Sequence, residues 1–121
     1  MKTLKIRGRV TSGVGKGAYY VTRPQYLNFF KKVLKAHPFP GTLNVIIDGK
    51  KTSEILPHTY TPMEYGTIRY ATGKIGEIPI VVIRPQKSVH PENVIEIVAP
   101  INLRKKLKLT DGSEIEFQIF L

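Results

Sequence analysis

The sequence contains no cysteine, and no apolar run in it is long enough to cross a bilayer. The missing thiols exclude disulfides, thiolate metal ligands and cysteine nucleophiles, but they do not fix the compartment, since a secreted protein can also lack cysteine. The amino-terminal stretch MKTLKIRGRV alternates basic with apolar residues and does not form the apolar core of a signal peptide. We therefore predict a soluble, cytoplasmic protein with no membrane partner.

Acidic residues are also scarce. Nine Asp and Glu stand against nineteen Lys and Arg, which gives a formal net charge of +10. A surface of this sign attracts anions, but charge alone does not choose among nucleic acids, nucleotides and acidic membranes. The basic run Arg104–Lys106 has two interpretations, a solvated helix face or a phosphate contact. With 121 residues, of which 41% are hydrophobic, the chain is predicted to form one domain spanning residues 1–121.

Short alternating segments predict a mostly β protein. Apolar and polar residues alternate in LKIRGRV (residues 4–10), TLNVIID (42–48) and EIEFQIF (114–120), as they do in half-buried strands. The strand-forming segments AYYV, TIRYATG, EIPIVVIRP and NVIEIVAP bring the number of predicted strands to about seven. Residues 48–65 are polar, contain proline and have no period, so they are predicted to form a long surface loop.

Two helices are predicted between these strands. Apolar side chains recur with helical spacing from Tyr26 to Leu34, Thr22 can cap this longer helix, and Pro24 suits its first turn. A short basic helix is predicted in INLRKKLKL, residues 101–109. Because strands and helices do not alternate regularly, we expect a small, mostly antiparallel barrel and not a parallel sheet.

The segment SGVGKGAYYV, residues 12–21, contains three glycines at alternate positions around a lysine. We call residues 13–19 the glycine ribbon. It lacks the GK(S/T) ending of a P-loop, and it leads into a predicted strand, so the Rossmann fingerprint is also excluded. Backbone amides without Cβ atoms can turn toward an anion and approach it closely. Phosphate binding and an ordinary hairpin loop both remain open for this segment.

Three further places carry polar groups that suit chemistry. Thr42 and Asn44 stand two apart on a predicted strand and project oxygens from one face, which permits a magnesium site, although such residues usually face water. Glu96 is the only ionisable residue in NVIEIVA, so it either binds a substrate hydroxyl, acts as a general base, or pairs with a lysine at the rim. In the loop KSVHPEN, Ser88 can donate a hydrogen bond, and His90 is interpreted as an ordinary loop side chain.

Three blocks of the sequence together resemble the archaeal CTP-dependent riboflavin kinases. They are GRVTSGVGKGAYYV, PFPGTLNV and RPQKSVHPENVIEIVAPINLRKKLKLTDGSEIEF, and the resemblance covers nearly the whole chain. It implies a six-stranded cradle-loop, RIFT-like β-barrel with one longer and one short helix. It also implies transfer of the γ-phosphate of CTP to the 5′-hydroxyl of riboflavin, which gives FMN and CDP.

The resemblance also implies roles for individual residues. Thr42 and Asn44 would ligate Mg²⁺, Ser88 and Glu96 would contact the flavin side, and Glu96 is the candidate catalytic base. Ser88 and Val89 stand where threonine and tyrosine are expected, so the hydroxyl is kept and an aromatic ring is lost. The predicted nucleotide-binding residues are Gly13, Val14, Gly15, Lys16, Gly17, Ala18, Tyr19, Ile101, Asn102, Leu103 and Arg104, of which Lys16 and Ala18 occupy variable positions.

One alternative comes from a different class of protein. The closing segment LKLTDGSEIEF resembles the L-x-x-G-x-x-(I/V)-E pattern of swapped-hairpin transcription factors, and the positive charge suits a phosphate backbone. This pattern chiefly encodes a turn followed by a strand, so nucleic acid is not the expected partner. A barrel that binds flavin or nucleotide without turnover is a third option. We expect riboflavin and CTP as substrates and a monomer, although the oligomeric state leaves no trace in the sequence.

Overall fold

A computed structural model of the chain describes residues 2–13, 21–62, 66–86, 88 and 90–121. Its strands are β1 (Thr3–Thr11), β2 (Leu43–Ile47), β3 (His58–Tyr60), β4 (Ile68–Ile75), β5 (Ile78–Pro85), β6 (Val94–Val98) and β7 (Glu114–Phe120). Its helices within the described residues are α1 (Pro24–Leu34), α2 (Thr52–Ile55) and α3 (Leu103–Lys106). No helix in these ranges is long and apolar enough to cross a membrane.

The strands form one antiparallel sheet that closes on itself. Their order is β3-β4-β5-β6-β2-β1-β7, and a further pairing of β4 with β7 closes six strands into a barrel, with β3 added beside β4. The closing seam pairs Gly73 with Ile119, and a Cβ on Gly73 would collide with the carbonyl oxygen of Gln118. The close approach of the two strands therefore requires glycine there. The predicted six-stranded, mostly antiparallel barrel is confirmed.

Two apolar clusters hold this barrel together. The interior cluster is formed by alternate residues of the strands, among them Ile6, Val45, Ile97 and Phe117. The second cluster packs α1 against the outer surface of β4, β5 and β6 and consists of Val21, Tyr26, Phe30, Leu34, Ile68, Val81, Ile83 and Val98. Because side chains on both faces of β6 are covered, all five residues of this strand are buried. Any polar residue on β6 is therefore taken out of water.

The largest departure from the sequence prediction lies in residues 48–65. They contain helix α2 and strand β3, although a surface loop was predicted, and residues 63–65 lie outside the described ranges. Ile55 and Leu56 are fully buried in the interior cluster, so this segment is anchored by an apolar pair. A helix of four residues is too short to produce a recognisable hydrophobic period. The prediction of one long and one short helix thus missed a second short one.

The start of the longer helix also differs from the prediction. Pro24 opens α1 as expected, but the capping position is occupied by Arg23, not Thr22, and no side-chain hydrogen bond caps it. The predicted strand AYYV falls mostly outside the described residues, and its last member, Val21, has helical backbone and is buried against α1. The chain thus enters α1 already packed on the barrel.

Candidate active site

Strand pairing brings three of the predicted site residues together. β2 and β6 are antiparallel, and Asn44 lies directly opposite Glu96. Thr42, two residues before Asn44, donates a hydrogen bond of 2.8 Å from its Oγ1 to Oε1 of Glu96. The predicted metal ligands and the predicted base therefore form one cluster on the outer face of the barrel, which we call the oxygen cluster (Thr42, Asn44 and Glu96).

The carboxylate of the oxygen cluster lies in an apolar strand. Glu96 is only 8% exposed, and this burial raises its pKa above the ordinary value. The Thr42 hydrogen bond and the electrostatic interactions with His90 and Arg84 lower the pKa but do not cancel the effect of burial. A carboxylate with increased proton affinity is better suited to accept a proton from a hydroxyl group.

The amide of Asn44 carries an unused acceptor. Its Oδ1 is buried and has no hydrogen-bond partner among the described residues. Gly13, the first residue of the glycine ribbon, lies so close that a Cβ there would collide with the Asn44 amide. An unsatisfied buried oxygen costs free energy unless it meets a donor or a cation. Together with the neighbouring Thr42 hydroxyl, this oxygen fits a hard divalent cation.

The donor set also indicates which kind of metal site is excluded. In the described ranges, no group of three or more His, Cys, Asp and Glu side chains could hold a metal ion. A cation at Thr42 and Asn44 therefore needs ligands from elsewhere. Magnesium bound chiefly through substrate phosphates requires only one or two protein oxygens, and this requirement matches the two residues present.

A cleft of about 210 Å³ opens next to the oxygen cluster. It is lined by Thr42 on one side and by the segment that leads into α3 on the other. Asn102 caps α3 by accepting a hydrogen bond from the Lys105 amide at 3.1 Å, which fixes the backbone there. The cleft, called the α3 cleft below, is lined by Phe39, Gly41, Thr42, Leu43, Ile97, Ala99, Ile101, Asn102, Leu103 and Arg104.

All four residues predicted to bind nucleotide at the start of α3 thus line one cleft, together with a predicted metal ligand. The three residues of the basic run differ in their surroundings. Arg104 is half-buried and lines the cleft, whereas Lys105 and Lys106 are exposed, as on a solvated helix face. The other half of the predicted nucleotide site is not tested, because Val14, Gly15, Lys16, Gly17, Ala18 and Tyr19 lie outside the described residues.

The loop between β5 and β6 carries the remaining predicted residue. Ser88 accepts a hydrogen bond from the His90 amide at 3.1 Å, and within the described part of the chain its hydroxyl proton has no acceptor. Among the described residues, no hydrogen bond joins Ser88 to Glu96. His90, in the same loop, interacts electrostatically with Glu96 and lowers the pKa of that carboxyl.

Sequence reasoning missed the residue that holds this loop. The Arg84 guanidinium donates three hydrogen bonds of 2.7 to 2.8 Å, to the carbonyl oxygens of His90, Pro91 and Val94. An arginine at the end of an apolar strand gives no sign of such contacts, because its acceptors are backbone atoms. A larger cavity of about 390 Å³, lined partly by Arg84, lies on this side of the barrel and contains none of the predicted site residues.

Asp111 was also missed. It belongs to the turn in LKLTDGSEIEF, and its carboxylate accepts hydrogen bonds from Arg104 and from Ser12. The sequence indicated a turn at this place but offered no reason to connect it with Ser12, which precedes it by 99 positions.

Comparison with known proteins identifies the family. The family model CTP-dep_RFKase, described as "Domain of unknown function DUF120", matches residues 10–119. The chain belongs to this family. The resemblance to CTP-dependent riboflavin kinases that the three sequence blocks predicted is therefore confirmed.

Curated relatives match this member of the family over almost its whole length. A riboflavin kinase of Sulfolobus acidocaldarius is 34% identical, over 99% of this chain and 84% of the relative. One of Sulfurisphaera tokodaii is 35% identical, over 99% of this chain and 98% of the relative. One of Saccharolobus solfataricus is 31% identical, over 100% of this chain and 77% of the relative. None of these matches favours the nucleic-acid-binding alternative.

Proposed function

We propose that this protein is a CTP-dependent riboflavin kinase, which transfers the γ-phosphate of CTP to the 5′-hydroxyl of riboflavin and yields FMN and CDP. The family and the names of the relatives support the reaction. The observation that carries the proposal is the hydrogen bond between Thr42 and Glu96, beside the unpaired Oδ1 of Asn44 and at the edge of the α3 cleft. Three parts thus lie next to one another: two oxygens that can bind a cation, a carboxylate, and a cleft for the nucleotide that donates the phosphate.

The α3 cleft and the glycine ribbon would bind the nucleotide. Phosphoryl transfer depends chiefly on positioning and on stabilising the charge of the phosphate oxygens. Thr42 and Asn44 would hold magnesium, which when bound neutralises charge on the transferred phosphate. Arg104, which lines the cleft and has donors on Nη1 and Nε without partners among the described residues, would supply a further positive charge there.

Glu96 would act on the acceptor. A bond forms between the 5′-oxygen of riboflavin and the γ-phosphorus, and the bond from that phosphorus to the β-phosphate bridging oxygen breaks, so that CDP leaves. The hydroxyl proton passes to the Glu96 carboxylate, whose burial raises its pKa and so favours the transfer. Ser88 would donate a hydrogen bond to the flavin substrate. No covalent enzyme intermediate is needed.

The nucleotide donor, the domain organisation and the site of action complete the proposal. CTP as the donor follows from the family name, because backbone groups that read a cytosine edge leave no mark in side-chain identity. We also propose that one domain carries the whole reaction, that the protein acts as a monomer, and that it acts in the cytoplasm.

The direct test is formation of FMN. The purified chain is incubated with riboflavin, Mg²⁺ and, in separate reactions, CTP, UTP, GTP or ATP, and products are separated by chromatography with fluorescence detection. We expect FMN with CTP, little or none with the other donors, and none after chelation of the metal. Absence of FMN with all four donors would overturn the proposal, and product with ATP alone would overturn the choice of donor.

A further inference from the structure

The turn at Thr110–Ser113 is fixed to the strand from which the glycine ribbon departs. The amide of Gly112 donates to the carbonyl oxygen of Val10 at 2.7 Å, and the amide of Val10 donates to the carbonyl oxygen of Ser113 at 2.8 Å. Gly112 has φ +91°, a conformation that side-chain-bearing residues rarely adopt. The position of this turn relative to the start of the ribbon is therefore set by backbone contacts.

Asp111 projects from this turn and joins two segments of the candidate site. Its Oδ2 accepts a hydrogen bond from Ser12 Oγ, directly before the glycine ribbon, at 2.5 Å. Its Oδ1 accepts from Nη2 of Arg104, in the wall of the α3 cleft, at 3.0 Å. These bonds lower the pKa of Asp111, the one from Ser12 most, so the carboxylate is ionised at neutral pH.

The hydrogen bond from Arg104 to Asp111 restricts the orientation of the Arg104 guanidinium. Nη2 of Arg104 donates to Asp111 and also lies 3.5 Å from the carbonyl oxygen of Thr11. Because the guanidinium is planar, holding Nη2 on one side directs the donors on Nη1 and Nε along a fixed line. Neither of those nitrogens has a hydrogen-bond partner within the described residues. They remain available for phosphate oxygens.

We propose that Asp111 is a positioning residue for the nucleotide: it holds Arg104 and the start of the glycine ribbon in the arrangement that binds the triphosphate. This inference rests on the proposed function. Asp111 does not touch substrate itself. We expect it to affect binding of the nucleotide and not of riboflavin, because both segments that it joins are proposed to bind the nucleotide.

The chain offers a matched control for an ordinary surface ion pair. Glu116 on β7 accepts from Arg7 at 2.9 Å and lies 3.5 Å from Lys5, so it too is a carboxylate in an exposed pair with an arginine. The side chains of Asp111 and Glu116 are 57% and 42% exposed. Neither Glu116 nor its partners line the α3 cleft. A structural role alone predicts similar small effects for both carboxylates.

The test compares Asp111→Ala, Asp111→Asn, Ser12→Ala and Glu116→Ala in the full chain. Binding of CTP with Mg²⁺ is measured by calorimetry, and the KM for riboflavin is measured at saturating CTP. We expect Asp111→Ala to weaken CTP binding by about tenfold, the size of one lost charge-assisted contact, and to change the riboflavin KM less than about twofold. Asp111→Asn should lose less, because its Oδ1 can still accept from Arg104, and Ser12→Ala should also lose part of the affinity. Glu116→Ala should leave both quantities unchanged.

A double-mutant comparison separates positioning from a general effect. If Asp111 acts through Arg104, the double variant Asp111→Ala/Arg104→Ala should bind CTP little worse than Arg104→Ala alone. Additive losses, or a Glu116→Ala loss as large as that of Asp111→Ala, would overturn the inference. Circular dichroism confirms folding, and Asp111→Asn serves if Asp111→Ala does not fold.

Different results would contradict the positioning role of Asp111 and the kinase function. A parent protein that forms FMN and binds CTP, while Asp111→Ala and Asp111→Asn bind CTP equally well, would overturn only the positioning role. A parent protein that neither binds CTP nor forms FMN would overturn the proposed function and this inference with it.

Discussion

At the scale of single residues, Glu96 carries the sharpest prediction about activity. Glu96→Gln keeps the size of the side chain and an oxygen that can accept the Thr42 hydrogen bond, but it cannot accept a proton. If the carboxylate is the general base, kcat should fall by roughly 10²- to 10⁴-fold while CTP binding stays near that of the parent. Steady-state FMN formation and calorimetry provide the two numbers. Turnover close to the parent value would eliminate the base role.

The same substitution should change stability in the opposite sense. The folded-state pKa of Glu96 is raised by burial, so the folded protein binds a proton more readily than the unfolded chain. As pH rises from the unfolded-state pKa through the folded-state pKa, the parent therefore loses stability, whereas Glu96→Gln does not titrate. Below both values the carboxyl is protonated in both states and its contribution no longer varies with pH.

Urea unfolding with chelator and without ligands, measured from acidic to neutral pH, checks this sign. We expect the stability of Glu96→Gln relative to the parent to grow as pH rises through that window and to level off above it. A parent that gains stability over Glu96→Gln with rising pH would show that the Thr42 hydrogen bond and the interactions with His90 and Arg84 outweigh the burial of Glu96.

At the scale of elements, Arg84 should decide whether the β5–β6 loop keeps its shape. Arg84→Met preserves much of the side-chain volume but leaves the carbonyl oxygens of His90, Pro91 and Val94 without their donors. We expect a loss of about 1.5–3 kcal/mol in the free energy of unfolding, as for hydrogen bonds to a charged group, and a raised riboflavin KM with unchanged CTP binding.

Arg69→Met provides the control for Arg84→Met. Arg69 lies directly opposite Arg84 on β4, but its side chain makes a single hydrogen bond within the described ranges, from Nε to the carbonyl oxygen of Leu56 at 3.2 Å. A smaller loss of stability and an unchanged riboflavin KM are expected for it. Equal effects of the two substitutions on KM would mean that the loop is not held specifically by Arg84.

The elements also show what sequence reasoning can reach. The alternation in residues 4–10 and 114–120 predicted β1 and β7, and the apolar spacing from Tyr26 to Leu34 predicted α1, because each pattern runs over several residues of one element. Helix α2 has four residues and shows no period. The contact of Asp111 with Ser12 joins segments 99 residues apart that meet only where β1 pairs with β7, so no local pattern predicts it. The acceptors of Arg84 are backbone oxygens of the following loop, which leave no mark in side-chain identity.

At the scale of the whole molecule, the closed sheet brings the parts of the candidate site together. The interior cluster occupies the space between the strands, and the oxygen cluster lies on the outer surface of β2 and β6. The α3 cleft is bounded by the segments that enter β2 and leave β6. Because neighbouring strands supply Asn44 and Glu96, their relative position depends on the closed sheet and not on one loop. A substitution that weakens the closure of the barrel should therefore lower the free energy of unfolding and also disturb the candidate site.

Gly73→Ala tests the closure directly. A Cβ at position 73 would collide with the backbone of Gln118, which cannot yield as the end of a flexible side chain can, so β4 and β7 must separate. We expect a loss of about 1–3 kcal/mol or more in the free energy of unfolding, the usual cost of overpacking. Gly66→Ala is the control, since a Cβ there meets no atom of the described residues within 4 Å. Urea unfolding gives the stabilities, and calorimetry shows whether CTP binding weakens with them. A Gly73→Ala protein as stable as Gly66→Ala would mean that the β4–β7 seam contributes little, and the site would then owe its geometry to β2 and β6 alone.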